Sequence, residues 1–197
     1  MLAESMSRAP TTLAVVTAAG GSTRMGQCKA MLDWCGAPLI SAHVTALSRR
    51  CEVIVVTGFD ADRVSSACSC STVHNSAWST TAMIDSVRLG IGRWAGPVLV
   101  QPVDTVPVEA AVLDALLAIQ RSAVPIDQAG HPGHPVLIAP QDVERLADQP
   151  HLRALLVDAT EVWTHSRLCA LSFNDMEAYE RVLRVARGGL EPPTPRV

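Results

Sequence analysis

Residues 17–34 read TAAGGSTRMGQCKAMLDW, and between Ala18 and Ala30 they hold three glycines, one arginine and one lysine. Glycines let backbone N–H groups approach phosphate oxygens with no Cβ in the way. Arg24 can grip such oxygens through two N–H groups at once, and Lys29 supplies a mobile point charge. The chain carries fifteen arginines but a single lysine, and that lysine stands in this loop. These ingredients describe a polyphosphate site, although a solvated glycine-rich turn has the same composition. The dinucleotide fingerprint G-x-G-x-x-G fails, because the glycines fall at 20, 21 and 26. That spacing argues against an NAD(P)-dependent oxidoreductase. The ATPase phosphate loop fails too: Gln27 takes the lysine position after Gly26, and no Ser or Thr follows Lys29.

A second candidate is Asp104, at the end of the apolar run GPVLVQPVD. A carboxylate at a parallel-strand end, facing a cationic loop, suits magnesium; the same residue could instead cap the helix expected over 108–120. Asn174 and Asp175 precede MEAYERVL and read as helix caps. His131 and His134 are three apart, but Pro132 and Pro135 keep the segment extended, so a shared ion is not expected. His43, His74, His151 and His165 read as helix-surface or strand-end residues. The six cysteines read as reduced thiols, and Cys68-Ser69-Cys70 has neither the spacing nor the second pair of a zinc site. No Ser-His-Asp arrangement stands out.

The elements that position these residues alternate. TLAVVTA (12–18), CEVIVVTG (51–58), STVHN (71–75) and GPVLVQPVD (96–104) read as strands, the longer ones apolar enough to be buried on both faces. Helices are expected over 39–50, over 61–68 with Asp60 as cap, over 80–94 with Met83, Val87 and Ile91 on one face, and over 108–120. Strand and helix alternating at this spacing give an α/β fold with a mostly parallel sheet and helices on both faces. Such sheets bind ligands at the carboxyl ends of their strands, so the loops at 18–29, 58–60, 75–82 and 102–107 should share one rim. Farther on, a Gly/Pro-rich loop leads into a strand at Val136 to Ala139, followed by short helices in QDVERLA and HLRALL. EVWT and RLCALSF read as strands, and NDMEAYERVLRVA as a closing amphipathic helix. One domain is expected over 11–187, between a flexible start (1–10) and a disordered, proline-rich tail (188–197).

Composition narrows the partners. With 48% apolar and 18% charged residues, a net charge of -3 and no basic run, nucleic acid is not an expected partner. No stretch of 18 apolar residues exists and the N-terminus has no signal-peptide pattern, so no membrane is expected and the setting is cytoplasmic.

TAAGGSTRMGQCKAML resembles the signature L-A-A-G-x-S-x-R-M-G-x-x-K-x-L of nucleotidyltransferases that activate small molecules from an NTP. DWCGAPLI, EVIVVTG, the Asn75–Trp78 pair followed by Met83 and Ser86, PVDTVP and GHPVLI extend the likeness in order across 13–139, with a weaker echo at 171–179. Together they resemble the molybdenum cofactor cytidylyltransferase branch of the MobA-like NTP transferase family. The resemblance implies a three-layer α/β/α Rossmann-like sandwich of the nucleotide-diphospho-sugar transferase type. It implies nucleotide binding by Ala18, Ala19, Gly20, Gly21, Ser22, Thr23, Gly58, Asn75 and Ser86, with Arg24 and Lys29 catalytic. Asp104 and Asn174 would hold Mg2+, and His134 would touch the acceptor phosphate. Ala18-Ala19-Gly20 stands where guanylyl-transferring relatives usually carry a second glycine, which points to CTP. The implied acceptor is molybdopterin bearing its terminal phosphate, with transient contact to a cofactor-receiving enzyme. Three departures stand out. Asn174 occupies the place of a second aspartate, Ala82 that of a glycine, and Asp104 and Pro107 are one residue farther apart than in the commonest D-x-P form. They leave open a sugar- or alditol-phosphate nucleotidyltransferase and a degenerate, non-catalytic nucleotide sensor.

Overall fold

The computed structural model describes residues 12–188, so the expected flexible start (1–10) and the tail beyond 188 lie outside the described residues. In chain order the elements are β1 (Leu13–Ala18), the short strands β2 (Asp33–Trp34) and β3 (Ala37–Pro38), α1 (Leu39–Leu47), β4 (Glu52–Thr57), α2 (Ala61–Ser66) and β5 (Ser71–His74). Then come α3 (Met83–Ile91), β6 (Val98–Pro102), α4 (Ala110–Leu117), β7 (Ala123–Ile126), β8 (Val136–Ile138), α5 (Pro140–Val143), β9 (Thr160–Trp163) and α6 (Met176–Ala186). Among the described residues no helix is long and apolar enough to cross a membrane.

Seven strands form one sheet in the order β5-β4-β1-β6-β8-β7-β9. All six residues of β1 are buried, because it lies between β4 and β6 and both pair with it in parallel. Its alternate side chains feed two cores. Ala14, Val16 and Ala18 pack with α1, α2, α4 and α6, whereas Leu13 and Val15 pack with α3 and the 3-10 turns at 144–156. β8 runs antiparallel to both β6 and β7, and β9 is parallel to β7. The carboxyl ends of β1, β4, β5, β6, β7 and β9 therefore share one rim, as the alternation of elements predicts.

Several expectations fail locally. β7 runs into the segment where the Gly/Pro-rich loop is expected to begin at Pro125: it is four residues long and contains a proline, which strips the usual strand pattern. RLCALSF is not a strand but a turn, with one bridge from Ser172 to Thr105. The β2–β3 hairpin turns through Cys35 and Gly36, both at positive φ. Asp60 precedes α2, but in a left-handed conformation that aims its carboxylate at Arg63 (2.8 Å) instead of the helix N–H groups. His43 is not on a helix surface: it is wholly buried on the inner face of α1. Met83 is exposed at the first turn of α3, while Ile84, Val87 and Ile91 form the buried face.

Candidate active site

The loop after β1 is braced from within. Ser22 takes a left-handed conformation; its carbonyl accepts from the Met25 N–H (2.9 Å) and its hydroxyl accepts from the Lys29 N–H (3.0 Å). Met25, Cys28 and Ala30 anchor the loop in the core, so the backbone of Lys29 is held in a fixed place. From there the lysine side chain crosses to the end of β6. Its Nζ donates to Asp104 Oδ2 and to Asn174 Oδ1, each at 3.0 Å.

The two acceptors are clamped side by side. The Asp104 carbonyl accepts from the Phe173 N–H at 2.9 Å, and Thr105 bridges Ser172. Phe173 is buried and edge-on to Tyr179 at 5.1 Å, while the Tyr179 hydroxyl donates to the Asp33 carbonyl. Asp175, not Asn174, caps α6 by accepting from the Ala178 N–H at 2.8 Å, which leaves the Asn174 carboxamide for the site. Lys29 is 14% exposed at its side chain and Asp104 34%, so this pair is partly desolvated. Two hard oxygens within hydrogen-bond distance of one cation are the donor chemistry that Mg2+ or Mn2+ accepts.

A cleft of about 230 Å³ opens beside this cluster, lined by Ala18, Ala19, Gly20, Ser22, Lys29 and Asp104 on one side and by Trp78, Thr81, Ala82, Met83 and Ser86 on the other. Gly58 and Gly21 act on its far wall. A Cβ on Gly58 would fall 2.4 Å from the Ala19 carbonyl oxygen and 2.6 Å from Trp78 Cβ, and one on Gly21 would fall 2.9 Å from Trp78 Cζ3. Both glycines therefore admit Trp78, whose ring also meets Phe59 edge-on at 5.7 Å. Asn75 is buried, and its side chain donates to Thr81 (3.0 Å) and Ser86 (3.1 Å) and accepts from the Ala77 N–H (3.0 Å). Its polar groups are engaged inside the protein, so it braces the cleft wall and Ser86 faces the cleft. Gly21, Thr23, Arg24, Gly58, Asn75, Asn174 and His134 do not line the cleft itself. Arg24 is exposed, with no hydrogen bond or ion pair among the described residues.

Beneath Asp104 lies a set of buried polar side chains that the sequence reading missed. Gln101 donates to the Thr105 hydroxyl, which donates to the Pro102 carbonyl at 2.6 Å. His43 packs under Val103 and Thr105, with neither ring nitrogen in a completed hydrogen bond. Burial pushes its pKa down to about 4, against the opposing pull of those two backbones and of the Asp104 charge. Burial also lowers the pKa of His134, opposed by the Asp104 charge and the Val100 backbone; the His134 N–H donates to the Cys169 carbonyl at 2.8 Å. His131 points elsewhere, 3.3 Å from Asp127, so the two histidines do not converge. The signal for His43 was in the chain. Leu39, Ile40, Val44 and Leu47 define the buried stripe of α1, and position 43 lies within it.

The mostly parallel seven-stranded sheet flanked by helices matches the nucleotide-diphospho-sugar transferase-like α/β fold. The chain belongs to the MobA-like NTP transferase domain family, which it matches over residues 14–163. No curated protein shows significant sequence similarity to it. Among solved structures it is similar to a nucleotidyl transferase from Methanothermobacter thermautotroptrophicus, at 22% identity and a TM-score of 0.76, over 91% of this chain and 100% of that one. It is also similar to Rv0371c of Mycobacterium tuberculosis in complex with manganese, at 19% identity and a TM-score of 0.71, over 88% and 98% of the two chains. A third neighbour is molybdopterin-guanine dinucleotide biosynthesis protein A from Archaeoglobus fulgidus, at 17% identity and a TM-score of 0.64, over 90% and 100%. The family supports a function of the nucleotidyltransferase type.

Proposed function

We propose that the protein transfers CMP from CTP to a phosphorylated acceptor, molybdopterin, with release of pyrophosphate. The observation that carries this reading is the Lys29 ammonium held between Asp104 and Asn174, 3.0 Å from each, at the mouth of a loop able to cradle phosphates. An acceptor phosphate oxygen attacks the α-phosphorus, the bond to the bridging oxygen breaks, and pyrophosphate leaves with the electron pair. The chemistry needs positioning and charge neutralisation more than a covalent nucleophile. The backbone of residues 19–23 and the exposed Arg24 hold the departing β- and γ-phosphates. Lys29 bears on the α-phosphate as charge builds there. Asp104 and Asn174 would supply oxygens to Mg2+, which when bound would neutralise phosphate charge.

CTP is favoured by Ala18-Ala19-Gly20 at the strand end, and molybdopterin by GHPVLI and by the likeness to the Archaeoglobus molybdopterin-guanine dinucleotide biosynthesis protein. His134, half-buried and near enough to Asp104 to feel its charge, shapes the acceptor end. A second reading, a nucleotide sensor without turnover, is favoured by one observation: Asn174 brings no charge to the place where a second carboxylate would stand. Pyrophosphate release with Mg2+, compared across CTP, GTP, ATP and UTP with and without molybdopterin, separates the two. Release from CTP only when the acceptor is present supports the transferase. Tight CTP binding with no release under any combination supports the sensor.

A further inference from the structure

Lys29 already occupies the place of a cation. Its Nζ sits between Asp104 Oδ2 and Asn174 Oδ1, the two oxygens assigned to the metal, and it has no other hydrogen-bond acceptor among the described residues. The charges there balance: one carboxylate, one ammonium and one neutral carboxamide. The pair is partly desolvated, with Lys29 only 14% exposed, so repulsion between the ammonium and an incoming divalent cation is poorly screened. A carboxylate at position 174 would leave one anionic oxygen unmatched; the carboxamide leaves none. The ammonium leaves most readily when another anion takes it up. The anion best placed is the triphosphate, because the Lys29 backbone is tied by 3.0 Å to the Ser22 hydroxyl inside the same phosphate-cradling loop.

We propose that Lys29 is a resident counter-ion that keeps divalent cations out of the free protein and gives up its place only when a nucleoside triphosphate arrives. The divalent cation is then admitted as the nucleotide complex, not before it. The inference rests on the metal-site reading given above and adds an order of arrival to it. Asn174 is the residue that makes the exclusion complete.

The test is Mn2+ binding to the full chain, read by the loss of the free-ion electron paramagnetic resonance signal and by retention in equilibrium dialysis. Wild-type protein alone should bind Mn2+ only in the millimolar range, and CTP should bring Mn2+ onto the protein. Lys29→Met should bind Mn2+ without nucleotide at least about tenfold more tightly than wild type, since the ammonium is gone and Asp104 is uncompensated. Asn174→Asp, which keeps the lysine and changes an exposed side chain by one atom, should tighten binding in the same direction. If both variants fold by circular dichroism and neither gains affinity, Lys29 does not guard the site and the inference is overturned. The metal-site reading fails separately. It falls if Lys29→Met carrying Asp104→Asn retains Mn2+ as well as Lys29→Met does, or if wild type with CTP retains none.

Discussion

His43 should make the fold acid-sensitive, and the size of the effect follows from its burial. A histidine free in the unfolded chain titrates near its ordinary value of 6.5, whereas in the fold its pKa is about 4. Between those values the unfolded chain binds a proton that the native state does not, so stability rises with pH and is lost as pH falls. At about 1.4 kcal/mol per pH unit, this one residue should remove about 2 kcal/mol by pH 5 and about 3 kcal/mol by pH 4. The stability is fully present above pH 6.5. The groups facing the ring are the backbones of Val103 and Thr105 and the Asp104 charge, all of which favour the protonated form but are outweighed by burial. Urea unfolding of wild type and His43→Leu between pH 7.5 and 4.5 measures the effect as the gap between the two proteins. That gap should move by about 2 kcal/mol in favour of the variant on going from pH 7.5 to 5, equivalent to a relative midpoint shift of about 4–8 °C for a chain this size. A gap that stays constant across this range would refute the argument, because it would mean that His43 protonates equally in both states.

Other perturbations follow from the same geometry. Lys29→Ala should lower the rate of pyrophosphate release by about 100- to 1000-fold, the usual cost of losing one preorganised cation or donor from a site where charge develops; near-normal turnover would remove Lys29 from its assigned role. Gly58→Ala should cost about 1–3 kcal/mol in urea unfolding and weaken nucleotide binding, because its Cβ would fall 2.4 Å from the Ala19 carbonyl oxygen. Asn75→Ala should cost about 1–3 kcal/mol by stripping Ser86, Thr81 and the Ala77 N–H of a partner, and should raise KM for the nucleotide more than it lowers kcat.

The parallel half of the sheet was legible because its strands are long and apolar. LAVVTA is wholly buried and EVIVVT mostly so, both in central positions, and both end where glycines mark the rim. β7 was illegible for the opposite reason: Ala123–Ile126 is short and interrupted by Pro125. The meeting of this loop with the end of β6 was legible too, since Lys29 does reach Asp104. What composition could not supply was the choice between neighbours. Asn174 and Asp175 both suit a helix cap, and only the close approach of Phe173 to the Asp104 carbonyl sends Asn174 to the site while Asp175 takes the cap. Asn75 and Gly58 were placed among the nucleotide ligands, yet the fold uses the first as an internal brace and the second as room for Trp78. His43 was hidden by residue type, because a histidine within an apolar stripe is easily assigned to the helix surface although the period puts it inside.

The most direct test of nucleotidyl transfer follows the label from CTP marked at its α-phosphate, incubated with Mg2+, molybdopterin and the protein. Label should move to the acceptor in step with pyrophosphate release, and Asp104→Asn should prevent both. Label that stays on CTP, or that appears only as free CMP, would contradict it.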